Sequence, residues 1–470
     1  MTPAAPADLV HAPLAHWAAV RGDAPALADG RQALDFRQLH EAVQRGAQAL
    51  AAARAPRTVL VDGQRPTLDQ VVQFLAIIAS GRCAAVGDPD WSAPVRERVH
   101  AALPSAPADA APPSPGDPFY IGFTSGSTGL PKGFRRDHRS WAESFRLCVD
   151  TFGPDAAACV LAPGRISHSL FLFAMLLGVW SGGGAVVQER FSAARALETL
   201  REGRTPCLVA VPSQLAMMLE LAARRALAPV EGVRLILISG ARWMRERTPQ
   251  LRALFPRARI VEFYGASETS FIAWMDADEN APAQAVGRPF AGVDLEIRER
   301  QADGSGAIFV RSPMLFTDYV GGQADPTAAV RDGAWLSVGD MGWIDDAGRL
   351  CLAGRRNRMV VTQGKNLFPE EVEAVLGACA GVAAASVHGV PDPVRGQQVV
   401  AVVRPAPGVA PATAQDLAAA CRERLEPYKA PRRFLACEDW PLTTSGKTDH
   451  ARIAAMLAMQ EGTPCLRPLS

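Results

Sequence analysis

Residues 120–133 read YIGFTSGSTGLPKG. Tyr120, Ile121 and Phe123 form an apolar run that predicts a short buried strand. Thr124, Ser125, Gly126, Ser127, Thr128 and Gly129 follow, each with either no side chain or a hydroxyl, and then Pro131 and Lys132. Glycine lets backbone N–H groups come close to an anion, hydroxyls add donors, and a lysine adds a mobile positive charge. The combination suits a polyphosphate. It is not a Walker A loop, because no G-x4-G-K-[ST] spacing fits. Taken alone, a Gly/Ser/Thr run is as readily a flexible surface loop.

Working outward, the chain alternates helical and strand patterns. Phe36–Ala53 and Thr67–Ser80 read as helices, and Thr58–Val61 and Cys83–Val86 as strands. The Ala- and Pro-rich segment Ala101–Pro118 reads as an exposed connection into the loop. Further on come a helix from about Ser140, a strand at Ala157–Leu161, an apolar helix at Ser169–Trp180 and a strand at Gly184–Gln188. Strands at Cys207–Val211 and Arg234–Ser239 flank a helix at Ser213–Ala226. This alternation predicts a parallel, helix-covered sheet, with ligands beyond the carboxyl ends of its strands. Gly126, the Ser239-Gly240-Ala241 turn and the Tyr264-Gly265 turn fall at such ends. From Gly287 to Gly354 short strands and turns suggest a β-rich subdomain. A compact α+β unit follows, with a helix opening at Pro369-Glu370-Glu371 and strands at Ala384–His388 and Gln398–Arg404. The predicted class is α/β: an N-terminal domain over 1–353, a hinge at 354–358 and a mobile C-terminal domain over 359–470.

Composition narrows the function. With 470 residues, two or three domains are expected. Forty-nine basic and 48 acidic residues leave a net charge of +1, which points to neither nucleic acid nor an acidic membrane surface. The nine cysteines form no C-x-x-C pair and are odd in number, so no disulfide framework or zinc site is indicated. The N-terminus lacks the features of a signal peptide, and Ser169–Trp180 is too short to span a bilayer. A cytoplasmic protein with no membrane span is expected.

Three further motifs carry chemistry. IVEFYGASET, residues 260–269, is a strand ending in a tight turn; the Tyr264 ring is able to stack on a base and the Glu268 carboxylate to ligate Mg2+. WLSVGDMGWIDDAG, residues 335–348, puts Asp340 in a Gly-flanked turn where it could accept both ribose hydroxyls, with Arg355 also near ribose or phosphate. TTSGK, residues 443–447, places Lys447 at the tip of a polar loop, where an ammonium suits charge developing on an α-phosphate. Each has a bland alternative: a solvated glutamate, turn chemistry, a solvated lysine.

In content and order, the four motifs resemble those of the acyl-adenylate-forming superfamily of acyl-CoA synthetases, peptide-synthetase adenylation domains and luciferases. The resemblance runs from about Tyr120 to Arg452 and implies a two-step reaction. A carboxylate attacks the α-phosphate of ATP–Mg2+, pyrophosphate leaves, and a thiol then attacks the acyl-adenylate after the C-terminal domain rotates. It implies that Lys447 is the catalytic lysine. Two departures stand out. Asn357 replaces the hinge Asp or Lys, and fewer residues than usual precede the loop, which suggests a reduced N-terminal subdomain.

The resemblance also locates an acyl site among the apolar helix, Val211, the Ser239–Ala241 turn and Tyr264–Thr269. His168 takes the approximate place of a gate near the carboxylate, or is a structural histidine. Ser169 stands where amino-acid-activating relatives carry an Asp, so an amino acid is disfavoured, since a buried ammonium needs a carboxylate. A fatty or aryl acid fits the apolar lining. Arg242 and Trp243 are candidates to shape the pocket or to face solvent. Thr362–Asn366, with Gly364, resembles the loop lining a pantetheine tunnel, which favours coenzyme A over an acyl carrier protein as acceptor. No fused carrier domain is expected, and a monomer or homodimer fits. A catalytically silent nucleotide-binding protein is the non-enzyme alternative.

Overall fold

The structure is a computed structural model that describes residues 8–106, 112–124, 131–301, 304–320, 329–362, 365–392, 395–443, 447–459 and 465–469. Ser125, Gly126, Ser127, Thr128, Gly129 and Gly364 lie outside the described residues. The chain divides into two compact units. The larger comprises Met1–Ala281, Val286–Leu295 and Val310–Val338; the smaller comprises Pro282–Ala285, Glu296–Phe309 and Gly339–Ser470. The α/β class is what the structure shows.

The larger unit holds two sheets. In the first, the strands Pro25–Ala28, Ala185–Val187, Val160–Ala162, Cys207–Ala210, Leu235–Ile238 and Arg259–Ala266 run parallel side by side. Ser270–Asp276 then folds back antiparallel on the last of them. The predicted strand at Ala157–Leu161 begins later, at Val160, because Pro154–Ala157 winds into a 3-10 turn. The second sheet holds the strand Pro118–Thr124 beside Cys83–Ala85 and Thr58–Leu60, all parallel. Lys132–Asp137 returns antiparallel to it, with Thr124 opposite Lys132. The Gly/Ser/Thr stretch therefore joins two arms of a hairpin. That pairing places the two flanking strands in a different sheet from Leu235–Ile238 and Arg259–Ala266.

Local signals explain the helices well. Asp35 caps Phe36–Ala52 in a reciprocal box with Gln38, and its Phe36, Leu39 and Val43 are buried. The apolar helix Ser169–Trp180 is buried along Phe171, Leu172 and Ala174–Val179. Among the described residues no helix is long and apolar enough to cross a membrane. All nine cysteines are free thiols.

In the smaller unit, the strands Val382–Asp392 and Gly396–Pro405 pair antiparallel, and Arg433–Ala436 joins parallel. Period-two alternation splits the second strand between two cores. Val399, Ala401 and Val403 pack with Val372 and Leu376 of the helix Pro369–Gly377 and Leu417 of the helix Ala414–Arg424. Val400 and Val402 face the opposite way, onto Leu435, Trp440 and Ile453.

One packing detail carries a stability consequence. His138 is buried, and its Nδ1 accepts the Val10 N–H at 3.2 Å, which requires an unprotonated nitrogen. Burial, aided by the neighbouring His11, lowers its pKa to about 3, and burial lowers that of His11 to about 4. The folded values lie below the ordinary 6.5, so the unfolded chain takes up protons first as pH falls. Stability is therefore complete above about pH 6.5 and drains away toward pH 4, by a few kcal/mol. Thermal midpoints at pH 7 and 4.5 should show this fall, and His138→Gln should flatten it; an unchanged slope in that variant would refute the assignment.

Candidate functional site

The larger unit brings three predicted pieces together at Ser169, the first residue of the apolar helix. Its Oγ lies 3.3 Å from the Tyr120 hydroxyl, in the strand leading to the loop, and 3.4 Å from Ser267 Oγ, in the Glu268 turn. Tyr120 is fully buried, which pushes its phenol up to about 12 and keeps it neutral. His168 precedes the helix, with its ring 6.3 Å from that of Phe171. Deeper along the same helix, Phe173 meets Trp141, Phe145 and Phe271 at ring separations of 5.6, 5.0 and 5.3 Å. The surroundings of Ser169 are aromatic, and its hydrogen-bond partners among the described residues are the hydroxyls of Tyr120 and Ser267.

Tyr264-Gly265 is not a free turn. Both residues belong to the strand Arg259–Ala266, where a bulge lies between them, and the chain reverses at Ser267–Thr269 instead. A Cβ on Gly265 would stand 1.8 Å from the Ser270 carbonyl oxygen, so the hairpin requires glycine there. Thr269 is buried, and its hydroxyl accepts the Ala266 N–H at 3.1 Å, closing the turn from within. Val211 precedes the helix Pro212–Arg224, and its N–H donates to Gln214. Ser239 is buried at its strand end, while Gly240, at φ +86°, and Ala241 are exposed. Trp243 neither faces solvent nor stands free beside that turn: it is buried in the core, donating to Thr248 Oγ1 at 2.9 Å. Arg242 is exposed.

Two residues that sequence patterning passes over hold the Glu268 turn. Arg136 is 1% exposed, and its guanidinium donates to the carbonyls of Ser267 and Met314 at 2.8 and 2.6 Å and to Ser270 Oγ at 2.7 Å. Tyr319 donates its hydroxyl to Glu268 Oε1 at 2.8 Å, and the Phe316 N–H reaches the Glu268 carbonyl at 2.7 Å. Lys132 Nζ sits 3.8 Å from the centroid of the same Tyr319 ring. The doublet Arg135-Arg136 after Gly133 was the available sequence signal. Nothing local marked Tyr319.

The smaller unit assembles the remaining predicted residues. Asp340 is not in a turn but begins the strand Asp340–Ile344, just after Gly339 at φ +82°. It pairs in register with Arg355, whose Nε lies 3.1 Å from its carboxylate. Asn357 is exposed in the 3-10 turn Arg356–Arg358. Lys447 is not at a loop tip: Thr443 N–H donates to its carbonyl at 2.7 Å, its own N–H donates to Thr443 Oγ1 at 3.2 Å, and Leu442 bridges Thr448. The lysine therefore stands on the return arm of a tied hairpin. Its surface is exposed, yet the protein gathered about the amine lowers its pKa; Arg355 adds to that lowering and Asp340 opposes it.

A family profile described as AMP-binding enzyme matches residues 94–320, and one described as AMP-binding enzyme C-terminal domain matches residues 371–447. YhfT of Bacillus subtilis strain 168, named an uncharacterized acyl-CoA ligase, is 39% identical over 362 residues, which is 76% of this chain and 72% of that protein. The 2-succinylbenzoate–CoA ligase of Arabidopsis thaliana is 30% identical over 369 residues, 70% of this chain and 66% of its own. Among solved structures, the Bacillus subtilis o-succinylbenzoate CoA synthetase in complex with its acyl-adenylate superposes with a TM-score of 0.79. The alignment covers 97% of this chain and 98% of that one at 23% identity, a likeness of fold.

Proposed function

We propose, from the premise that this chain belongs to the AMP-binding enzyme family, that it activates a fatty or aryl carboxylic acid with ATP and passes the acyl group to coenzyme A. One observation carries the reading: the loop strand, the apolar helix and the Glu268 turn meet at Ser169. An acid with its apolar body against the Phe173 side would present its carboxylate beside the phosphate loop.

The chemistry divides into two displacements. An oxygen of the substrate carboxylate forms a bond to the α-phosphorus, and the bond to the bridging oxygen breaks as pyrophosphate leaves. The sulfur of coenzyme A then attacks the acyl carbon, and AMP leaves with the electron pair of the broken C–O bond while the thiol proton passes to solvent. The protein's share is positioning and charge stabilisation. Lys132 and Lys447 would supply positive charge to the phosphates, Asp340 and Arg355 would hold the ribose side, and Tyr264 would face the base. Thr124 and the stretch Ser125–Gly129 would cradle the polyphosphate, with Ser239–Ala241 beside it. His168 and Thr269 would border the acyl carboxylate, with Val211 beneath, and Asn357 and Gly364 would serve the hinge and the pantetheine path. Glu268 is a half-buried, hard carboxylate ligand suited to Mg2+, which neutralises polyphosphate charge when bound.

Among the described residues Ser169 meets hydroxyls rather than a carboxylate, which supports an acid without an α-amino group. Asp340→Asn removes the charge that offsets Arg355 and Lys447 while keeping the shape. We expect ATP affinity to fall about tenfold, the worth of one charged hydrogen bond, with the circular dichroism spectrum unchanged; unaltered affinity by calorimetry would remove Asp340 from the nucleotide site. The acceptor is tested by mass spectrometry of the product. Acyl-CoA formed from acid, ATP and coenzyme A supports the reading, and acyl-AMP that leaves only onto a carrier protein replaces coenzyme A as acceptor.

A further inference from the structure

One face of the apolar helix Ser169–Trp180 is open over its first turns. Phe171, Leu172 and Ala174 are buried there, whereas Ser169, Leu170 and Phe173 are half-buried and share one face of the helix. Ser169 and Phe173 stand at i and i+4, so Phe173 lies one turn, about 6 Å, deeper along that face.

Two walls flank the face, each with a hydroxyl against Ser169 and a ring against Phe173. On one side Tyr120 Oη lies 3.3 Å from Ser169 Oγ, and Trp141 meets Phe173 at a ring separation of 5.6 Å. Tyr120 and Trp141 are themselves in ring contact at 5.2 Å. On the other side Ser267 Oγ lies 3.4 Å from Ser169 Oγ, and Phe271 meets Phe173 at 5.3 Å. The walls are thus polar at Ser169 and aromatic one turn further in. The Phe173 ring is held in place, because Phe145 packs on it at 5.0 Å, and Trp141, Phe145 and Phe271 are all buried. Swinging it aside would displace those rings, which a close-packed interior resists. An acid with its carboxylate beside the hydroxyls therefore has about one helical turn of depth before it meets a ring. A single aromatic ring, or an alkyl chain of equal length, fits that depth; a long alkyl chain does not.

We infer that the acid is one whose apolar body is no longer than a single aromatic ring, and that Phe173 sets this limit as a specificity-determining residue. The inference rests on the ligase reading of this site and narrows its substrate class.

The experiment measures kcat/KM for acid-dependent ATP–pyrophosphate exchange with benzoate, 4-butylbenzoate, butanoate and hexadecanoate. It uses the unaltered chain and Phe173→Ala, each checked for folding by circular dichroism. In the unaltered chain benzoate and butanoate should support exchange, with 4-butylbenzoate and hexadecanoate at least about a hundredfold poorer, since a single methylene in a hydrophobic pocket is worth about 10–200-fold. Phe173→Ala should raise 4-butylbenzoate relative to benzoate by about tenfold or more. A general loosening of the fold lowers both acids and leaves that ratio where it was. Hexadecanoate or 4-butylbenzoate exchanging as well as benzoate in the unaltered chain overturns the inference, and so does an unmoved ratio in folded Phe173→Ala. Should Phe173→Ala not fold, Phe173→Leu takes its place, with the same shift expected and the same unmoved ratio overturning it. Exchange with long acids leaves the ligase reading standing and removes only the size limit. ATP binding without exchange on any of the four acids defeats the ligase reading and the inference with it.

Discussion

Replacing Lys447 by alanine is expected to lower acid-dependent pyrophosphate exchange by about a hundredfold or more, the scale on which single charge-stabilising donors act in active sites, while ATP binding changes little. The hairpin bonds between Thr443 and Lys447 run through backbone atoms and the threonine hydroxyl, so the substitution leaves them intact. What is lost is the ammonium itself, crowded by protein and acted on by the opposite charges of Arg355 and Asp340. Lys447→Arg should rescue poorly, because a planar guanidinium does not present the same compact charge. Exchange that survives Lys447→Ala would mean that the lysine is a solvated charge, as its exposure taken alone would suggest.

Arg136→Met should be the most damaging single change to the fold. The guanidinium is 1% exposed and satisfies two carbonyls and the Ser270 hydroxyl, with Ser140 Oγ a further 3.3 Å contact. Burial holds its pKa down to about 10, opposed by the charges of Asp137 and Glu268, so keeping this cation inside already costs stability. Removing it does not recover that cost cleanly. The acceptors are stranded, each at about 1–3 kcal/mol, and breaking buried charge networks typically costs about 3–5 kcal/mol in total. Lysine cannot replace it, since one ammonium does not span four acceptors. Urea unfolding should show the loss, and the folded fraction should exchange pyrophosphate poorly because the Glu268 turn has lost its anchor. A loss below about 1 kcal/mol, within the range of ordinary surface substitutions, would show that the turn stands without Arg136.

The sequence was most informative where chemistry is local. Pro369 before two acids and the apolar run Ser169–Trp180 each announce an element through neighbouring residues, and the structure has those helices. It was least informative where strands pair across distance. The strands on either side of the Gly/Ser/Thr stretch, Pro118–Thr124 and Lys132–Asp137, pair with each other in a second sheet, which βα alternation does not reveal. The Gly265 bulge depends on the return strand Ser270–Asp276, and Asp340 becomes a strand residue through its register with Arg355. Tyr319 and Arg136 were invisible for the same reason: the Glu268 turn that they hold lies 51 and 131 residues away from them in the chain. Trp243 shows the converse error. Beside a turn and an arginine it reads as a pocket wall or as surface, yet its indole is buried in the core, with its N–H satisfied by Thr248.

The most direct test is ATP–pyrophosphate exchange by the purified chain across a panel of aliphatic, aryl and amino acids. The account predicts exchange that requires both Mg2+ and an added apolar acid, with amino acids inactive because Ser169 offers no carboxylate to an ammonium. Tight ATP binding with no acid-dependent exchange anywhere in the panel would contradict it and leave a nucleotide-binding protein without ligase activity.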